Sequence, residues 1–279
     1  MNSTYPMISP TWLFDHFSDD NLILLDATVE HSVVGEQLEG PRNYLPNSQA
    51  FDIEKVFVDL TSSLPNTMPS SDKFSQEAKN LGINDDSIVV IYDERGLYSA
   101  PRAWWMFKCM GHEHVYVLNG GVKAWQAMGY PLSDTLGVDL YAQGNFVAHY
   151  QADKIYSAQD VLAAIDTTNT MIVDVRGEGR FNGTVQEPRE GMRSGHIPSS
   201  INLPFSKVLA GHQYLPNEEL VALLKQYQFD QAEKLVFSCG SGLTACIVLL
   251  AAYCVGYNNM AVYDGSWSEW GGDHSLPIE

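Results

Sequence analysis

In the stretch KLVFSCGSGLTACIVLLAAYCVGY, residues 234 to 257, one thiol, Cys239, stands between an apolar run and a glycine-rich turn. Lys234–Ser238 reads as a short buried strand, because its apolar residues are bounded by polar ones. Gly240 and Gly242 permit backbone angles that other residues resist, so a tight loop can follow the strand. From about Leu243 the pattern predicts a helix that stops near Gly256. Cys239 would then face the unpaired N–H groups of a helix N-terminus, which stabilise an anion. That is the setting of a nucleophilic thiolate, whereas a structural cysteine is usually packed within an element.

A second concentration of chemistry lies upstream. Four of the seven arginines, Arg176, Arg180, Arg189 and Arg193, fall within eighteen residues, together with only three acidic residues, Glu178, Glu187 and Glu190. The window is therefore locally positive in a chain whose formal net charge is −18. A small anionic substrate repelled by the whole molecule would need such a local site, and Arg suits a carboxylate because it offers two parallel hydrogen bonds. Arg176, beside a strand end, reads instead as the structural partner of a buried carboxylate, Glu187 being one candidate. Arg193 reads as a loop residue with ordinary ion pairs. His196, in SGHIPSS, would suit a cysteine–histidine protease only with a full constellation, and none is evident.

The elements that must position these groups occur twice. ISPTWLFDHFSDDNLILLDAT (from Ile8) parallels YSAQDVLAAIDTTNTMIVDVR (from Tyr156): a helix starting at Ser, then a strand ending in Asp26 or Asp174. YLPNSQAFDIEKVF parallels HIPSSINLPFSKVL, SIVVIYDERGLYSA parallels KLVFSCGSGLTA, and HVYVLNGGVKAW parallels NMAVYDGSWSEW. Short β runs alternate with helical segments such as 72–81 and 217–228, which implies a mainly parallel sheet with helices on both faces in each half. The expected division is a first domain over 1–132, a linker over 133–154 and a second domain over 155–279. The repeat also acts as a control. The first half carries Asp93 where the second carries Cys239, so only the second half retains a thiol nucleophile, and the first is expected to supply shape and one wall of a cleft.

Composition excludes several function classes. The chain is 45% hydrophobic over 279 residues, without low-complexity segments. Its longest apolar run, 245–255, is too short for a bilayer, and MNSTYPMISPTWLF lacks the pattern of a secretory signal. Four cysteines (Cys109, Cys239, Cys246, Cys254) without metal-ligand spacing point to a reducing, cytoplasmic setting with no disulfide framework and no metal. The strong negative charge disfavours nucleic acid and anionic membrane as partners.

CGSGLTA, together with GHIPSSINLPF, DVRGEGRFNGTVQEPREGMRSGHIP and YDGSWSEWG, resembles the tandem-domain sulfurtransferases of the rhodanese superfamily. Within that group the loop is most similar to that of the mercaptopyruvate sulfurtransferases, which reads Cys-Gly-Ser-Gly-Val-Thr-Ala. Thiosulfate sulfurtransferases share the fold but carry basic residues where this chain has Gly240 and Ser241. The similarity covers almost the whole chain, including YSAPRAWWMF in the first half. It implies an α/β fold of two tandem rhodanese-like domains. It also implies a reaction without cofactor: Cys239 takes sulfur from 3-mercaptopyruvate, or alternatively thiosulfate, as a persulfide. An acceptor thiol, such as thioredoxin or a low-molecular-weight thiol, or cyanide then removes it.

The resemblance further assigns residues. Gly240, Ser241, Gly242, Leu243 and Thr244 would form the loop that holds the persulfide anion, with Ser241 acting beside Cys239; Thr244 has the simpler reading of a helix cap. Arg180 and Arg189, in GRF and EPR, would bind the donor's carboxylate and carbonyl, and Tyr98 would line the cleft. Mercaptopyruvate enzymes often pair the loop serine with a first-domain His and an acidic residue. The acidic position matches Glu54, but Asn66 stands where His is expected. Either that relay is dispensable, or the donor differs, or the reaction is slow. A cysteine phosphatase would need Arg six residues after the cysteine, where this chain has Ala245, and a non-catalytic sulfur-binding module would not need Cys239 with both glycines.

Overall fold

The structure is a computed structural model that describes residues 5–30, 32, 37–38 and 40–279. It divides into two compact units. The first comprises Met1–Leu60, Met68–Gln151 and Ala210–Tyr214; the second comprises Thr61–Thr67, Ala152–Leu209 and Leu215–Glu279. Each unit thus includes a short segment whose sequence neighbours lie in the other.

In the first unit the strands are β1 (Met7–Ile8), β2 (Leu22–Asp26), β3 (Gln49–Ala50), β4 (Ile88–Tyr92) and β5 (Val115–Leu118). All pair in parallel, in the order β1-β5-β4-β2-β3. The helices are α1 (Pro10–Asp15), α2 (Ser71–Asn80), α3 (Ala100–Cys109) and α4 (Gly121–Ala127). Leu22 and Leu24, Val90 and Tyr92, and Tyr116 and Leu118 point to one face with Leu13, Val122 and Trp125. Phe51, Phe57, Phe74 and Phe107 stack as an aromatic cluster elsewhere in the same unit. Burial on both faces is why these strands are nearly continuously apolar rather than alternating.

The second unit repeats the plan with β6 (Ile155–Tyr156), β7 (Thr170–Asp174) and β8 (Ile201–Asn202). A two-stranded ribbon follows, β9 (Leu209–Ala210) and β10 (Gln213–Tyr214), of which Ala210–Tyr214 is counted with the first unit; then come β11 (Lys234–Ser238) and β12 (Met260–Tyr263). The five-stranded sheet is again parallel, ordered β6-β12-β11-β7-β8. Its helices are α5 (Ala158–Ala164), α6 (Glu178–Phe181), α7 (Asn217–Gln226), α8 (Ala245–Cys254) and α9 (Ser266–Trp270). Ser9 and Ser157 cap α1 and α5 as the repeat predicts, Ser157 in a reciprocal capping box with Asp160.

Two expectations change in detail. Helix α8 begins at Ala245, not Leu243, because residues 240–244 are coiled into the loop. The stretch read as a linker is not loose: 133–151 is part of the first unit, with Gly144 N–H on Lys79 O, Phe146 N–H on Ile83 O, and Phe146 buried. No helix among the described residues is long and apolar enough to cross a membrane.

Candidate active site

Cys239 directly follows the central strand β11, only 1% exposed, at the base of the loop 240–244. A buried serine gives that loop its shape. Ser266 Oγ accepts from the N–H groups of Cys239 (3.1 Å) and Gly242 (3.0 Å), and donates to Tyr263 O (2.8 Å). The Trp267 N–H donates to Cys239 O, and the Ser268 N–H to Gly240 O. The start of α9 therefore acts as the mould of the loop. The Ser241 N–H points at Cys239 Sγ, 3.4 Å away. Ser266 has φ 48, a left-handed conformation uncommon for a residue with a Cβ; the first unit has Gly121, φ 54, at the corresponding place.

The first unit shows what a loop of this kind holds. After β4, Asp93 Oδ2 accepts the N–H groups of Tyr98 (2.8 Å), Ser99 (2.9 Å) and Ala100 (2.8 Å) at the start of α3. Asp93 is fully buried, and its Oδ1 has no hydrogen-bond partner among the described residues. A carboxylate oxygen thus occupies the focus of three backbone donors. In the second unit the counterparts are Leu243, Thr244 and Ala245, just before and at the start of α8, and their N–H groups donate to no protein acceptor among the described residues. Thr244 does not cap α8 with its side chain, which makes no cap hydrogen bond.

The arginines form a chain of ion pairs beside this loop. Arg176 grips Asp174 through Nε and Nη2 and reaches Glu187 Oε1 at 2.8 Å, so both carboxylates, not Glu187 alone, are its partners. Its guanidinium also lies 4.0 Å from the Trp267 ring centroid. Glu187, 4% exposed at its side chain, is held in a fork by Arg180 as well. Arg189 meets no carboxylate among the described residues; its Nη1 donates to Ser268 Oγ at 3.2 Å. Asp174 and Glu187 balance Arg176 and Arg180, so the surplus positive charge belongs to Arg189. Both outer arginines converge on the loop. A Cβ at Gly240 would lie 3.3 Å from Arg180 Nη2 and 3.7 Å from Arg189 Nη1. Gly240 is needed less for its backbone angles than for the space it leaves to two guanidiniums.

Asn66, from the 61–67 segment of this unit, donates from Nδ2 to Ser241 Oγ at 3.0 Å. A buried thiol, anion-seeking N–H groups and two arginines thus share one loop, and the sequence comparisons agree with that geometry. The profile of the rhodanese-like domain matches residues 9–128 and again 157–273.

The chain belongs to the rhodanese-like family.

It is 36% identical over 283 residues to the 3-mercaptopyruvate sulfurtransferase of Escherichia coli K12, covering 99% of both chains. It is 38% identical over 274 residues to the mouse enzyme of the same name, covering 95% of this chain and 91% of the relative. Among solved structures, the 3-mercaptopyruvate sulfotransferase SseA from Escherichia coli superposes with a TM-score of 0.82 at 32% identity, covering 95% of this chain and 99% of that one.

Both rhodanese-like units thus carry the loop, and they differ in what fills it. Tyr98 and Glu54 belong to the first unit. Tyr98 is buried, its N–H bound to Asp93 and its ring 5.4 Å from the Arg95 guanidinium. Glu54 is exposed, its backbone N–H on Asp52 Oδ1. Two expectations about the second rhodanese-like unit need correction or extension. Arg193 makes no ion pair among the described residues; its guanidinium binds the carbonyls of Trp270, Gly271, Asp273 and Leu276 and clasps the end of the chain. His196 is structural, stacked on Phe181 with Nδ1 facing the Phe181 carbonyl. Ser266 and Ser268 escaped sequence reasoning. The signal for Ser266 was present in the pairing of NGGVKAW with DGSWSEW, which sets a serine against a glycine.

Proposed function

We propose that this protein transfers sulfur from 3-mercaptopyruvate to a thiol or cyanide through a persulfide on Cys239. The observation that carries this reading is the contrast between the two loops: three backbone donors that hold a carboxylate in the first unit have no protein acceptor among the described residues in the second, where a thiol stands at their base. The Cys239 thiolate attacks the donor's sulfur. The carbon–sulfur bond breaks, its electron pair leaves as the enolate of pyruvate, and the mercapto proton is returned to carbon. The Cys–S–S⁻ left behind is an anion, which the N–H groups of Leu243, Thr244 and Ala245 and the hydroxyls of Ser241 and Thr244 stabilise without metal or organic cofactor. An acceptor thiol then takes the outer sulfur as its own persulfide and restores the Cys239 thiolate; cyanide leaves as thiocyanate.

Arg189 and Arg180 supply the donor site. Arg189 brings the uncompensated charge for the carboxylate, and Arg180, anchored by Glu187, presents its remaining N–H groups. The four free cysteines fit a reducing, cytoplasmic compartment, in which thioredoxin or a low-molecular-weight thiol is a suitable acceptor. The test is turnover with 3-mercaptopyruvate and thiosulfate, side by side, using one acceptor, with the mass of the donor-treated protein. Faster mercaptopyruvate turnover and a gain of one sulfur atom on Cys239 are expected. A preference for thiosulfate would make the protein a thiosulfate sulfurtransferase instead.

A further inference from the structure

Ser241 is reached by a side chain from far along the chain. Asn66 Nδ2 lies 3.0 Å from Ser241 Oγ and 3.5 Å from Ser241 O. The second approach identifies the atom, since a carbonyl oxygen only accepts and the group facing it must be the amide NH₂. The backbone suits the residue as well: Asn66 has φ 60, where Asn is enriched. In the first unit the matching contact is made by His212, whose Nδ1 faces Arg95 O at 3.1 Å. Arg95 is the second residue after Asp93, as Ser241 is after Cys239. Both loops are therefore tied at the same carbonyl by a nitrogen, and at Ser241 that nitrogen also meets a hydroxyl.

The hydroxyl has one proton and two lone pairs. With Asn66 donating, one lone pair is engaged, and the proton has no acceptor in the NH₂ group. One proton and one lone pair stay available to a donor bound against the loop. We infer that Asn66 is a positioning residue that sets Ser241 as a two-way proton carrier for the carbon–sulfur cleavage. As the donor's sulfur joins Cys239, its S–H proton passes to Ser241 Oγ, and the Ser241 proton passes to the departing enolate. The bond pair goes to the pyruvate carbon, the hydroxyl is restored, and neither Asn66 nor Ser241 ends with a changed charge. An amide exchanges no proton near neutral pH, so this arrangement works without a titrating base. It rests on the proposed mercaptopyruvate reaction. Thiosulfate needs no such transfer, because its fragment leaves as sulfite.

The test is a double-mutant cycle on the full-length protein: Asn66→Gly, which keeps the backbone angle accessible, Ser241→Ala, and both together. Single-turnover release of pyruvate from mercaptopyruvate and of sulfite from thiosulfate is measured, with the mass of the loaded protein. Each single change should slow pyruvate release at saturating donor about tenfold or more, with the half-saturating concentration little altered. The double variant should release pyruvate no more slowly than Ser241→Ala, and Asn66→Gly, which leaves the Ser241 hydroxyl in place, should keep sulfite release within about twofold, which also shows that the loop is intact. Multiplicative losses, or equal losses with both donors in Asn66→Gly, would overturn the inference and leave Asn66 as a prop for the loop. Failure of the unaltered protein to gain sulfur from either donor is a different outcome; it overturns the proposed function and this inference with it.

Discussion

At the scale of single residues, the arginines are no longer equivalent. Arg189→Ala removes the surplus charge and little else, so it should raise KM for mercaptopyruvate by the worth of a charge-assisted pair, roughly 1.5–3 kcal/mol, and leave the melting temperature unchanged. Arg180→Ala should raise KM too, but it also strips a buried carboxylate of one partner, so the protein should melt earlier. Equal thermal losses in both variants would contradict this division of labour. Cys239→Ser should abolish turnover and the gain of sulfur mass; a gain that persists, or moves to Cys246, would assign the nucleophile wrongly. Gly240→Ala should act like a mild version of the arginine changes, weakening donor binding, because its methyl meets Arg180 Nη2. The chemistry-bearing residues were legible in sequence because thiol, glycines and arginines are unusual in type and spacing. Ser268 was not, and Ser266 showed only as a serine set against a glycine in the repeat, since a serine shows its role only when its two or three hydrogen-bond partners are placed.

The elements were legible where the local pattern alone decides them. The strands after the Ser-capped helices end at Asp26 and Asp174, and β11 spans Lys234–Ser238, because apolar runs buried on both faces stop where polar side chains begin. The start of α8 was misplaced by two residues: Leu243 and Thr244 have helical composition, but contacts with α9 from later in the chain hold the loop open. The stretch 133–151 carries no period because it is anchored through backbone hydrogen bonds, which leave no trace in side-chain pattern. An element-level prediction concerns the turn between α3 and β5. His112, 2% exposed, donates to Ser87 O, and burial, with smaller contributions from the charges of His114 and Lys108, lowers its pKa to about 4. In the unfolded chain it titrates near 6.5. Between these values the unfolded state binds more protons, so stability is complete above pH 6.5 and falls as the pH drops towards 4, by up to about 3 kcal/mol from this group. His112→Gln keeps a donor for Ser87 and should flatten that part of the acid limb in thermal melts; an unchanged limb would show that other groups dominate it.

At the scale of the whole molecule, the units are not simple halves of the chain. The second includes 61–67, so a fragment of residues 152–279 lacks part of its own compact body and the Asn66 contact to Ser241. Such a fragment should melt below the intact protein; an equal melting temperature would mean that the segment contributes nothing to stability. The repeat was readable from motifs, whereas this assignment of segments was not, because it depends on where a loop packs rather than on what it contains. Asp93 carries a last consequence, in terms of descent. Two copies of one fold in one chain point to a duplicated ancestor, and a copy that gives up its thiol inherits three backbone donors that still require an anion. Ala or Ser at position 93 would strand them in a buried site, and Asn would offer them a weaker, uncharged oxygen. A copy without the thiol thus keeps the electrostatic demand of its loop. Asp93 meets that demand from within the chain, with a buried carboxylate on the three N–H groups.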